Sequence, residues 1–157
     1  MTYIFIYCKM ESNTVSAQNC LVYRVLDANL NRLREALRVI EEYYRFIDDR
    51  PDVCVGLKVL RHGLIEVETV IGRGELLANR DSESDCFAKK VRPEERDRTS
   101  LNDLLVANFK RGQEASRVIE EYAKMIDPPR GVELSEAAKK VRFSLYTSEK
   151  DLIGGKG

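Results

Sequence analysis

A chain of 157 residues with 43% apolar and 33% charged side chains can bury roughly two-thirds of its unfolded surface around one core, and this balance excludes a disordered segment. Twenty-six basic residues stand against twenty-six acidic ones. A net charge of zero provides no overall positive field for nucleic acid or an anionic membrane, so any anion must be met by locally clustered arginines.

The opening residues through Cys8 are apolar, but too short and too poor in preceding basic residues for a signal peptide or membrane span. Residues 1–20 are therefore expected to form an unstructured leader or an added edge strand, with Met10 an alternative start. Cys8, Cys20, Cys54 and Cys86 stand far apart with no C-x-x-C pair. This spacing suggests neither a zinc knuckle nor a disulfide framework, and it fits a reducing, cytoplasmic setting.

Leu30, Leu33, Leu37, Ile40, Tyr44 and Ile47 fall at three- and four-residue steps, the signature of one buried helical stripe. This first long helix is expected to start at a cap on Asp27 or Asn29 and to end near residue 49, with Pro51 opening the next helical turn. A second helix runs from about 52 to 71 and stops at Gly72-Arg73-Gly74, followed by a short piece over 75–79. Residues 80–99 lack periodicity and include Pro93. A loop of that length is usually functional or disordered. Ser100 and Asp103 resemble a capping box for the second long helix, which Pro128, Pro129 and Gly131 close. The last helix is expected over 135–149, and the glycine-rich 151–157 as a flexible tail.

The strongest signal is a repeat. Residues 28–48 recur as 107–127 with thirteen of twenty-one positions identical, which shared helical composition does not produce. A fainter echo follows each copy: Lys58, Arg61, Leu64 and Glu68 match Lys139, Arg142, Leu145 and Glu149. The expected fold is all-α, a helical bundle of two duplicated helix hairpins (22–71 and 100–149) with a long loop at 80–99 between them. Residues 21–150 then form one helical domain.

The two copies retain the same polar residues on their long helices: Asn29 and Asn108, Arg32 and Arg111, Glu35 and Glu114, Arg38 and Arg117. Neighbouring positions such as 31/110 and 34/113 have drifted. On a helical wheel Asn29 lies within the apolar stripe, Arg32 on its flank and Glu35 further round, with Arg38 alone pointing away. An Arg32–Glu35 pair plus an Asn29 cap would account for each residue singly, but such pairs are worth only about 0.2–0.5 kcal/mol. Both edges lining one cleft would instead offer guanidinium forks for phosphate and carboxylates for Mg²⁺. Arg80, Asp81 and Asp85 open the long loop in a pattern that can hold Mg²⁺ and a phosphoryl oxygen together. His62 is the only histidine, and a lone helical histidine is more often a packing residue than a catalyst.

Four stretches together resemble the small monofunctional hydroxymethylpyrimidine-phosphate kinases of thiamine biosynthesis: 27–39, Leu57–His62, Leu76–Asp85 and 108–115. The resemblance covers about residues 22–149 and implies ATP as co-substrate, Mg²⁺ as cofactor and a pyrimidine monophosphate converted to its diphosphate. For such a reaction, phosphate contacts are expected at Arg32, Arg61, Arg80 and Arg111. Magnesium goes to Asp81 and Asp85 with Glu35 or Glu114. Substrate or nucleotide contacts fall to Asn29, Glu35, Arg38, His62, Asn108, Glu114 and Arg117. Where the family continues Asp-Val-Gly, this chain reads Asp85-Cys86-Phe87, which puts the role of Asp85 in question. Many members are fused to a thiamine-phosphate synthase barrel, and no β/α repeat long enough for one is present here. Two other readings compete. Glu41-Glu42 and Glu120-Glu121 suit an all-helical Mg²⁺-dependent nucleotide pyrophosphohydrolase, and the arginine–glutamate rows suit a non-catalytic interaction module. Neither nucleic acid nor a membrane is an expected partner, whereas pairing into a two-fold dimer through an exposed helix face is.

Overall fold

The computed structural model describes residues 14–85 and 98–154, with side chains from Gln18 onward in the first helix. Met10, the Cys86-Phe87 departure, most of the 80–99 loop and residues 155–157 of the tail lie outside the described residues. The elements are α1 (Thr14–Phe46), α2 (Pro51–Ile71), α3 (Arg73–Ala78), α4 (Leu101–Ala123) and α5 (Arg130–Leu152), with no strand among the described residues. The fold is all-α.

Of the expected apolar stripe, Leu30, Leu33, Leu37, Ile40 and Tyr44 are all at most 1% exposed, joined upstream by Leu26, whereas Ile47 lies past the end of α1 and is 52% exposed. The helix starts at Thr14, well before the expected cap at Asp27 or Asn29, because nothing between 14 and 46 is glycine or proline and the stripe continues upstream through Val22 and Tyr23. Asp27 and Asn29 therefore lie inside the helix and cap nothing. α1 ends at Phe46, earlier than expected. Asp49 takes the left-handed conformation (φ 49°), which an aspartate tolerates better than most residues, and the Arg50 N–H donates back to the Tyr44 carbonyl at 2.7 Å. Pro51 then opens α2, where its missing N–H costs nothing. Gly72 closes α2 with φ 101°, the backbone its position requires.

Ser100 caps α4 by accepting from the Asp103 N–H at 3.1 Å, while Thr99 bonds the Asp103 carboxylate. α5 begins at Arg130, five residues earlier than expected, so Gly131 lies in its first turn and closes nothing. A Cβ at Gly131 would stand 2.4 Å from the Ile126 carbonyl oxygen and 2.5 Å from that of Ala123. This glycine is what lets α5 fold back onto the end of α4.

The long helices form a closed ring. α1 packs on α4 and α2, and α5 packs on α4 and α2, while the α1–α5 and α2–α4 diagonals make no close backbone approach among the described residues. α1 against α4 is the most extensive contact, so the two copies of the duplicated helix lie side by side at the centre.

Candidate active site

The duplication extends to the contacts. Arg34 on α1 meets Glu68 on α2, and its counterpart Gln113 on α4 donates to Glu149 on α5 at 2.6 Å. Glu41 accepts from Arg61 at 3.0 Å, and Glu120 from Arg142 at 2.8 and 3.1 Å. Arg38 reaches Glu41 and Glu42, as Arg117 reaches Glu120 and Glu121. Positions 34 and 113 are thus not freely drifting surface. Gln113 is only 4% exposed, and either side chain can meet the same glutamate. Burial pushes the Glu120 carboxyl up, but Arg142 and Arg117 outweigh it and hold the carboxyl below its usual range.

These pairs run down the flank of α1 that meets α2 and the flank of α4 that meets α5. The opposite flanks of α1 and α4 face each other across a cleft of about 610 Å³, a size suited to a small phosphorylated ligand. Its walls are the same five positions from each copy: Asn29, Arg32, Glu35, Ala36 and Val39 opposite Asn108, Arg111, Glu114, Ala115 and Val118. Arg32, Glu35, Arg111 and Glu114 are exposed, and none has an ion pair among the described residues. The Arg32–Glu35 pair that would have made this row a simple surface ladder is not formed.

Buried Asn29 donates from Nδ2 to the Val25 carbonyl at 2.9 Å, and buried Asn108 from Nδ2 to the Leu104 carbonyl at 2.8 Å. A carbonyl only accepts, so this bond fixes which amide atom is the nitrogen. Both Oδ1 atoms are thereby left as acceptors. The Asn29 oxygen has only a 3.5 Å contact from Arg32 Nη1, at the limit of a hydrogen bond.

Six of the expected site residues are therefore brought together, Asn29, Arg32, Glu35, Asn108, Arg111 and Glu114, and the others are not. Arg61 is held by Glu41 between α1 and α2. Arg80 makes a two-pronged bond to the buried carboxylate of Asp27, at 2.7 and 2.8 Å. Arg38 and Arg117 lie on the outer flanks in their glutamate pairs. His62 is exposed on α2 and does not line the cleft. Asp81 is bonded by the Ser84 hydroxyl and backbone N–H and stands 3.5 Å from Arg24, and these contacts, Ser84 first, hold its carboxyl below the usual range. Asp85 is exposed, at the end of the first described segment. Asp27, buried at 6%, was not among the expected site residues although it opens the first motif. Its role as anchor for Arg80 depends on a partner 53 positions away.

No three metal-ligating side chains gather among the described residues. Magnesium on a polyphosphate needs only one or two protein carboxylates, and the unpaired Glu35 and Glu114 supply two in one cleft. Glu41 and Glu120, which a pyrophosphohydrolase would need for metal, are instead neutralised by Arg61 and Arg142.

The ThiD2 family profile matches residues 24–151, spanning both hairpins and the cleft between them. The chain belongs to the ThiD2 family. Among its relatives are proteins named thiamine-phosphate synthase from Nostoc punctiforme, 41% identical over 85% of this chain and 36% of the relative, and from Thermosynechococcus vestitus, 43% identical over 91% and 38%. One from Gloeobacter violaceus is 41% identical over 86% and 37%. This ThiD2-family chain thus spans little more than a third of the length of these relatives. No solved structure matches it. Among the described residues no helix is long and apolar enough to cross a membrane.

Proposed function

We propose that this ThiD2-family protein acts in thiamine biosynthesis, transferring the γ-phosphoryl group of ATP to 4-amino-5-hydroxymethyl-2-methylpyrimidine monophosphate. An acceptor phosphate oxygen forms the new P–O bond, the bond from the γ-phosphorus to the β–γ bridging oxygen breaks, and ADP leaves with that oxygen. The observation that carries this reading is the cleft itself, where each copy presents one unpaired guanidinium, one unpaired carboxylate and one amide oxygen.

A phosphate acceptor is already anionic near neutral pH and needs no base to become a nucleophile. The barrier is repulsion between two anions, and in this reading Arg32 and Arg111 relieve it by binding the facing phosphates, so that attacking and leaving oxygens can come into line. Glu35 and Glu114 are the carboxylates that would hold Mg²⁺, whose chemistry is to neutralise charge on the donor phosphates. The Oδ1 of Asn29 or Asn108 can accept from the exocyclic amine of the pyrimidine, and Val39 and Val118 offer an apolar wall to its ring.

The test is ADP production by the purified protein with ATP, Mg²⁺ and the pyrimidine monophosphate. ADP should form only when the acceptor is present, and the proposal fails if ATP is consumed without it or pyrophosphate is released. Arg32→Ala or Arg111→Ala should each lower kcat/KM by roughly 10- to 100-fold, the value of a charge-assisted hydrogen bond to phosphate.

A further inference from the structure

A groove of about 550 Å³ lies on the other flank of α1, between its C-terminal half and the first turns of α2. Four cations line it, Arg38, Arg45, Lys58 and Arg61, against two carboxylates, Glu41 and Asp49. Glu41 is already engaged by Arg61 at 3.0 Å and Arg38 at 3.7 Å, and Arg38 is also paired with Glu42 just outside the groove, so the uncompensated cations are Arg45 and Lys58 against Asp49. Arg45 and Lys58 have no carboxylate partner among the described residues. In a chain whose net charge is zero, this local excess of positive charge is not a by-product of a basic protein.

The second copy shows what the same frame looks like when closed. There the counterpart of Arg45 is Lys124, paired with Glu121 at 2.8 Å. The counterpart of Arg61 is Arg142, whose guanidinium carbon lies 5.0 and 5.8 Å from the ring centres of Phe143 and Tyr146. The first copy has His62 and Ile65 at those two positions, and neither offers a phenol or phenyl face. Both copies carry the acid, as Glu42 and Glu121, but only the second pairs it with the cation at this position; in the first copy Arg45 lies over the Phe46 ring at 4.7 Å instead, and Arg61 has no phenyl or phenol ring beside it at positions 62 and 65.

We infer that this groove is a second oxyanion site, separate from the α1–α4 cleft, and that it takes a diphosphate group. The space exceeds what one phosphate fills. Arg45 and Lys58, which no carboxylate engages, can hold one phosphoryl unit, and the guanidinium N–H groups that Arg38 and Arg61 do not spend on Glu41 and Glu42 can reach the second, with Pro51 and Val55 as an apolar wall for whatever the diphosphate carries. The inference stands beside the proposed reaction and does not depend on it.

Cys54 lines the groove and serves as a reporter. The full chain is treated with iodoacetamide with and without inorganic pyrophosphate, and alkylation of the Cys54 peptide is followed by mass spectrometry. Pyrophosphate should slow that alkylation. Lys58→Glu and Arg45→Ala should each raise the concentration needed by about tenfold or more, and Arg32→Ala/Arg111→Ala should leave it unchanged. Protection by ADP at lower concentration than pyrophosphate would identify a nucleotide as the source of the diphosphate, and equal protection would mean that the diphosphate alone is read. The inference is overturned if pyrophosphate leaves Cys54 alkylation unaltered, if Lys58→Glu has no effect, or if protection disappears with the cleft arginines.

Discussion

Tyr44 is fully buried, and its hydroxyl has no hydrogen-bond partner among the described residues. Burial pushes the phenol up to about 12, so it stays neutral while an unsatisfied donor costs free energy in the core. Its counterpart in the second copy is Ala123, also buried. Tyr44→Phe keeps the ring and its edge-on contact with Tyr43 while removing the unpaired oxygen. The expected result is a gain of about 1 kcal/mol, read as a melting temperature raised by about 2–4 °C; a drop of that size would mean the hydroxyl has a partner. Glu120 presents the opposite case, a buried charge well matched. Its carboxyl titrates below the ordinary value of 4.5, so the folded chain binds that proton less readily than the unfolded one. The resulting stabilisation is complete above the ordinary carboxylate range and disappears as pH falls through the lowered value. Glu120→Gln should cost on the order of 1–3 kcal/mol at neutral pH. In melting curves taken from pH 7 down to 3, the gap from the unsubstituted protein should narrow only below about 4.5.

At the scale of elements, the long helices, the Pro51 start and the Gly72 stop were legible because each depends on a local rule: periodicity, a tolerated proline, a left-handed glycine. The beginning of α5 was not. Pro128, Pro129 and Gly131 together read as the end of α4, yet Gly131 serves a close approach to the carbonyls of Ile126 and Ala123 just upstream, which depends on how sharply the chain turns between the helices and leaves no helical period to read. Gly131→Ala tests that assignment. The backbone carbonyls of Ile126 and Ala123 cannot rotate aside as a side-chain end can, so the added methyl must displace the first turn of α5. A loss of about 3 kcal/mol or more is expected in denaturant unfolding. Gly112→Ala offers a contrast, because its nearest obstacle is the Leu145 Cδ1 at 2.9 Å, the movable end of a side chain, and it should cost less. Equal costs would mean that Gly131 is not the pivot between α4 and α5.

At the scale of the molecule, what the sequence pattern could and could not reveal follows from where each partner sits. The cleft was legible because duplication puts the same residues on both central helices, and two copies packed side by side must face equivalent edges toward each other. Arg61 and Arg80 looked identical in kind to Arg32 and Arg111, but acids on other helices, Glu41 and Asp27, hold them elsewhere, and such pairs leave no periodic trace. This convergence carries a prediction that helix surfaces acting separately would not share. If Arg32 and Arg111 grip the same pair of anions, removing the first already releases the geometry that the second depends on. The Arg32→Ala/Arg111→Ala double variant should then lose less in kcat/KM than the product of the two single losses, by a coupling of about 0.5–3 kcal/mol. Simple multiplication of the single effects would mean that each arginine serves its own ligand, and the shared-cleft mechanism would have to be given up even if both variants were impaired.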